Sequence, residues 1–299
     1  MEGANVRCGS QGAVEIIFNS LLDGGMETSI DGPLWIHGNL ISTSESWGLG
    51  ISGYNNNTRI DWNYIDSYNF PTASLGLFDS ARVQIIANTF VTHSDGILFS
   101  GWQSQGAMHL NNFVTDEIAG DYLLAIDTGD FSATWNYWGS AATAEIEEVG
   151  EQGDLCFILD GHDNPQYPIV DLSQWQHEPL PLEEAPLTRI TEPLDGTGVS
   201  GARMTLAGYA LAPEGVDRVD VSADGGQTWV EAAYVEPDMK ELWTWLWFAP
   251  GDGTYTLRSR VVTGGEIVEK PGGAVTVTVS GAAPVPGDLN RDGTADATE

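Results

Sequence analysis

Six short segments in the first half of the chain repeat one order of apolar and polar positions around an asparagine: "IIFNSL", "IHGNLI", "IDWNYI", "IIANTF", "HLNNFV" and "ATWNYW". The asparagines are Asn19, Asn39, Asn63, Asn88, Asn112 and Asn136, at intervals of 20, 24, 25, 24 and 24 residues. Two positions after each stands an apolar residue: Leu21, Ile41, Ile65, Phe90, Val114 and Trp138. Three before stand Ile16, Ile36, Ile60 and Ile85, and then His109 and Ala133, where the pattern loosens. This period is not helical. A repeat of about 24 residues holds two or three short strands, and stacking the repeats sets like positions about 4.8 Å apart in parallel sheets. The positions three before and two after then form inward ladders, and each asparagine marks a turn where stacked amides bond from coil to coil. Second strands lie in "GLGISG", "SLGLFD", "GILFSG" and "YLLAID", bounded by Gly, Ser or Asp. The pattern predicts a parallel β-helix of about six coils. His109 stands where an interior isoleucine is expected, which marks either a satisfied inner histidine or a slip of register.

The pattern changes near residue 180. "HEPLPLEEAPLTRITEPLDGTG" is rich in proline and acid and reads as a linker over 181–190. Over 187–281 the alternation has period two, in "RMTLAGYAL", "RVDVSA", "TWVEAAYV", "WTWLWF", "YTLRSRVV" and "AVTVTVS". About seven short strands separated by turns predict an Ig-like β-sandwich. "SADGGQTW" reads as a hairpin, with Asp224, Gly225 and Gly226 able to take positive φ. The expected layout is an all-β chain: β-helix with a C-terminal cap over 1–180, sandwich over 187–281, and a tail over 282–299.

Composition adds a strong charge. Of 299 residues, 43 are Asp or Glu and 11 Lys or Arg, a net charge of −32, which excludes nucleic acid as a partner. Residues 1–185 hold 26 Asp and Glu against Arg7, Arg59 and Arg82, with no Lys. A polyanionic ligand would be repelled from this half unless calcium bridged it. No apolar run is long enough to span a membrane, and the first residues lack a signal region. With two cysteines there is no disulfide framework, and Cys8 and Cys156 read as buried thiols.

Candidate chemistry is sparse in the first half. Arg59 and Arg82 precede Asn63 and Asn88 by four and six residues, which allows them one coil apart on one face, or paired with local acids such as Asp61 and Asp79. His37, His93 and His109 show no paired carboxylate spacing, and "DGHDN" falls where a cap turn is expected. Aromatics such as Trp47, Tyr54, Trp62, Tyr64, Tyr68 and Trp102 interrupt the polar turns, and sugar rings stack on exposed aromatic faces. Arg59, Trp62, Arg82 and Trp102 are therefore the candidate ligand contacts. Trp243, Trp245 and Trp247 share one face of a sandwich strand, as a sugar platform or as core.

The chain ends on "GDLNRDGTADATE". From Asp288 this places oxygen donors at the first, third, fifth, ninth and twelfth positions of a loop, with Gly293 at the sixth for a sharp turn. Asp288, Asn290, Asp292, the Thr294 carbonyl, Asp296 and Glu299 are the expected Ca²⁺ ligands. A loop of this kind suits the calcium-rich space outside the cell, so the chain is expected to be a fragment of an extracellular or cell-surface protein.

Several of these segments resemble known families. The asparagine repeat, with "SATWNYWGSAATAEIEEV" and the "DLCFILDGHDNPQYPIVDLSQWQHEPL" that closes it, is similar to right-handed parallel β-helix proteins of the pectate-lyase-like superfamily. That resemblance implies the fold; the superfamily holds lyases, hydrolases and purely structural proteins, and the N-T-D, D-D and G-H-G patterns of its hydrolases are absent. "GVDRVDVSADGGQTWVEAAYV" with "WTWLWFAPGDGTYTLRSRVV" resembles the Ig-like C-terminal domain of sulfite-oxidase-type enzymes, without a molybdopterin domain before it. "SADGGQTW" alone is similar to a sialidase Asp-box, which as a single copy is a turn motif. The tail looks like the first loop of a dockerin, which implies calcium and a cohesin-type scaffold as partner. Three readings stay open: a polysaccharide- or surface-binding β-helix protein, a polysaccharide lyase or glycoside hydrolase, and a structural surface-layer repeat.

Overall fold

The computed structural model describes residues 6–11, 13–22, 26–43, 48–52, 56–67, 74–78, 81–92, 96–100, 105–115, 122–127, 130–236, 239–270 and 274–281. The chain divides into two compact units, residues 1–180 and 181–299. The first is a parallel β-helix of three sheets. One sheet stacks Val6–Gln11, Met26–Asp31, Leu49–Ser52, Leu75–Phe78, Ile97–Ser100, Leu124–Ile126 and Ile158–Leu159. A second stacks Val14–Ile17, Leu34–His37, Asn56–Asp61, Ala81–Ile86, Gln105–His109 and Asp130–Ser132, and a third runs from Ser20–Leu22 to Asn112–Val114.

The inward ladders follow from the repeat. Ile16, Ile36, Ile60, Ile85 and Met108 stand in register in the second sheet. Leu21, Ile41, Ile65, Phe90 and Phe113 do so in the third. From Ile36 and Leu21 onward these side chains are fully buried, each worth about 1.5–3 kcal/mol on leaving water. Phe90, Phe113, Trp138 and Phe157 continue as a ring stack with centroids 5.3, 4.9 and 5.7 Å apart. The helix Ser140–Val149 closes this end by burying Ala142 and Ile146 in the same core.

Here the structure corrects the expected register. The ladder asparagine of the fifth coil is Asn111, not Asn112, so Met108 and Phe113 point inward and Val114 is 46% exposed. The coils before and after are 23 and 25 residues, and the uneven lengths let Met108 and Phe113 enter the core in place of the His109 imidazole and Val114. Asn112 instead bonds both the N–H and the carbonyl of Leu180 at 2.8 Å.

The second unit is the expected sandwich. One sheet orders Leu187–Glu192, Arg203–Leu211, Met239–Phe248 and Ala233–Glu236; the other orders Thr197–Ser200, Ala274–Ser280, Gly253–Thr263, Arg218–Ser222 and Val230–Glu231. Leu187–Glu192 thus turns part of the proline- and acid-rich stretch into a strand, paired to Arg203–Leu211. Leu206, Val219, Val221, Trp243, Leu257, Val261 and Val277 form the core between the sheets. Trp243 is core rather than platform: its indole lies on Gly208, where any Cβ would come within 2.4 Å of the ring, and donates to Thr188 Oγ1 at 3.2 Å.

Candidate functional site

The asparagine turn builds the site. Asn19, Asn39, Asn63, Asn88, Asn111 and Asn136 form a continuous amide ladder, each Oδ1 from Asn39 onward accepting both the backbone N–H and the Nδ2 of the asparagine one coil earlier. The residue before each asparagine is left-handed: Phe18, Gly38, Trp62, Ala87, Leu110 and Trp135 have φ between 51° and 64°. The amide bonds pin this otherwise unfavourable conformation. Gly38 takes it without strain and leaves room for Phe18, whose ring carbon a Cβ there would meet at 2.6 Å.

The residues two and four places before the asparagine face outward and stack in register. His37 stands beside Asp61, and Trp35 beside Arg59. The Asp61 carboxylate, on a residue only 3% exposed, gathers three donors. Its Oδ1 accepts from Trp35 Nε1 and His37 Nδ1, both at 2.8 Å, and its Oδ2 accepts from Arg59 Nε at 2.6 Å. Phe18 meets His37 edge-on, with centroids 5.1 Å apart, and is 73% exposed. Trp35, its indole nitrogen held by the carboxylate, is 37% exposed. Leu40 and Tyr64, in register on the other side of the turn, are exposed as well. The result is a corner with fixed aromatic faces and one guanidinium around a buried carboxylate.

Of the residues expected to act together, the structure places Arg59 in this cluster and Trp62 at the left-handed turn position directly after Asp61. Arg82 is not beside Arg59. It sits between the Ala81–Asn56 and Val83–Thr58 pairs, opposite Asn57, with Gln84 in register with Arg59. This two-place offset is the one the sequence carries, four residues before Asn63 against six before Asn88, and both Arg82 and Asn57 have positive φ. Trp102 lies outside the described residues, as do Asp288, Asn290, Asp292, Thr294, Asp296 and Glu299. Asp61 pairs with Arg59, one of the two arrangements the sequence allowed, whereas His37, expected to have no carboxylate partner, bonds the same group; the signal was that the two stand 24 residues apart, each two before a ladder asparagine.

Other expected features resolve as structure. His109 is buried on the outward stack, its Nδ1 2.7 Å from Thr134 Oγ1 and its Nε2 without a hydrogen-bond partner; burial pushes its pKa down to about 4. Asp160 accepts from His162 N, His162 Nδ1 and Val170 N, so "DGHDN" is a cap turn. Cys156 is exposed, contrary to expectation, because it sits at the surface of the cap. Its thiol donates to Glu145 Oε2 at 2.8 Å, and that bond and partial burial push it up to about 11. The side chain of Cys8 lies outside those described. Among the described residues no three His, Cys, Asp or Glu side chains gather as a metal site, and no helix is long and apolar enough to cross a membrane.

The fold and this corner define a two-unit, nearly all-β protein, a parallel β-helix followed by an Ig-like domain. Residues 186–258, within the second unit, match the bacterial Ig domain family. Mitochondrial sulfite oxidases of Rattus norvegicus and Homo sapiens are each 38% identical over 84 residues, 27% of this chain and 15% of theirs. The sulfite oxidase of Gallus gallus is 34% identical over the same length, 18% of its chain. The match thus spans less than a fifth of these relatives. Among solved structures, an endo-β-1,4-mannanase from Thermotoga petrophila aligns over 59% of this chain and 39% of its own at 10% identity, with a TM-score of 0.28, too low to bear on fold or function.

Proposed function

We propose that the first unit binds polysaccharide on the corner carrying Trp35, Arg59 and Tyr64, in a protein that works outside the cell or on its surface. The observation behind this reading is the anchored indole of Trp35, fixed through Nε1 to buried Asp61 while its ring faces solvent. A ring already held in one orientation loses little freedom when a pyranose stacks on it. Arg59 beside it supplies donors for hydroxyl or carboxylate oxygens. The acidity of this half favours a neutral glycan, or a uronate chain bridged by calcium. The similarity of the repeat to the pectate-lyase-like superfamily supports the same substrate class. At the tail, Asp288, Asn290, Asp292, Thr294, Asp296 and Glu299 form an all-oxygen donor set that fits Ca²⁺, and we assign it to dockerin-type docking on a cohesin-type scaffold in the full-length protein.

One feature favours a second reading as a lyase: His37, oriented by Asp61 with Arg59 adjacent, has the parts of a proton-abstracting base beside a carboxylate-pairing cation. Against it, His37 is only 5% exposed. Incubation with neutral and uronate polysaccharides, with calcium and then chelator, separates the two. Retardation in affinity gels without new reducing ends or unsaturated uronate is the result expected for binding. Unsaturated product that disappears in His37→Gln would replace binding by the lyase reading, and neither retardation nor product from folded protein would remove both.

A further inference from the structure

We propose a second ligand site, for a neutral sugar unit, in the Ig-like unit. Trp245, Trp247 and Tyr255 line a groove of about 330 Å³ whose other edge is the hairpin residues Ser222, Asp224 and Thr228. The volume is that of a small-molecule pocket, at the lower end. Its walls are held in place. Tyr255 donates its hydroxyl to Gly251 O at 2.8 Å, and its ring meets Trp247 edge-on with centroids 4.9 Å apart. Trp245 follows at 6.4 Å from Trp247 and is half-buried, its ring shared between core and groove.

The polar edge is equally fixed. Asp224 Oδ1 accepts from Ser222 Oγ, Gln227 N and Thr228 N at 2.8–2.9 Å. Among the described residues, Oδ2 accepts only from Thr228 Oγ1, at 2.6 Å. A carboxylate oxygen with one donor, and a threonine oxygen that has spent its proton, are acceptors for ligand hydroxyls. Aromatic walls facing hydroxyl acceptors match a pyranose, which has an apolar C–H face and a rim of O–H donors. Among the described residues the lining holds no Arg, Lys or His, which disfavours acidic sugars. Arg258 donates from Nη1 to Gly225 O at 3.3 Å on the same hairpin and pairs through Nη2 with Glu269 Oε1 at 2.9 Å, so a cation is the competing occupant that the test must exclude. This site shares no residue with the β-helix corner, so it stands or falls separately.

The test titrates the full chain with short neutral oligosaccharides of glucose, mannose and xylose, followed by tryptophan fluorescence. A saturable change with a dissociation constant on the order of a millimolar or tighter is expected. Trp245→Ala is expected to weaken it about tenfold and Trp245→Tyr by no more than about threefold. Should Trp245→Ala fail to fold, Thr228→Val, which removes an acceptor from the edge, is expected to weaken binding about fivefold. Absence of saturable binding in the parent protein overturns the proposal, as does unchanged affinity in Trp245→Ala, or in Thr228→Val where that variant replaces it. Saturation by tetramethylammonium in place of sugars overturns it too.

Discussion

At the scale of the residue, the asparagine ladder carries more than any single apolar contact. Asn88 accepts from Asn63 N and Nδ2, and the two N–H groups of its Nδ2 are shared among Ile60 O, Ile86 O and Asn111 Oδ1, all within a fully buried turn. Removing the amide strands several buried partners at once. Asn88→Ala is expected to cost about 3 kcal/mol or more in a denaturant titration; a cost below about 1 kcal/mol would show that the ladder is incidental. His109 adds a pH dependence whose sign is set by burial. Its imidazole stays neutral in the fold down to about pH 4, while in the unfolded chain it protonates near 6.5. The unfolded state therefore binds the extra proton between these values, so this contribution is complete above about pH 6.5 and is lost as pH falls toward 4. On the order of 3 kcal/mol separates the ends of that window. His109→Gln is expected to flatten this part of the stability–pH curve relative to the parent protein, and an unchanged slope would place the titration elsewhere.

At the scale of the element, the repeat period made the β-helix legible, because inward ladders require like residues at like positions in every coil. The period left the register of the fifth coil open, since "NNFV" offers two adjacent asparagines; packing, with Met108 and Phe113 turned inward, decides for Asn111. Phe113→Ala is expected to lose about 3–5 kcal/mol by opening a hole in the ring stack, whereas Val114→Ala should stay within about 0.5 kcal/mol. The opposite order in thermal or denaturant unfolding would restore the register expected from spacing alone. The cluster at Asp61 was legible only in part. Arg59 stood out as a scarce cation and Trp62 as an aromatic in a turn, but Trp35 and His37 join them through coil stacking, a relation 24 residues long in sequence. Arg82 stands two places from Arg59 in register, as its distance from Asn88 already implied; what no alternation pattern carries is the positive φ of Asn57 and Arg82.

At the scale of the whole molecule, a net charge of −32 puts folded chains under self-repulsion that salt relieves. Stability in about 0.5 M sodium chloride is expected to exceed that in about 0.01 M; equal midpoints would mean that the acids are already compensated where they stand. The same charge leaves Arg59 as a rare cation on the β-helix, held by the carboxylate that also orients Trp35. Trp35 and Arg59 are the core of the account. The most direct test is calorimetric titration of the parent protein, Trp35→Ala and Trp35→Phe with neutral polysaccharides and with uronates in calcium. The expected result is binding of at least one of them, weakened about tenfold in Trp35→Ala and by a smaller factor in Trp35→Phe, which keeps an aromatic face but loses the Nε1 anchor to Asp61. Equal affinity in parent and Trp35→Ala, with both folded, would contradict it.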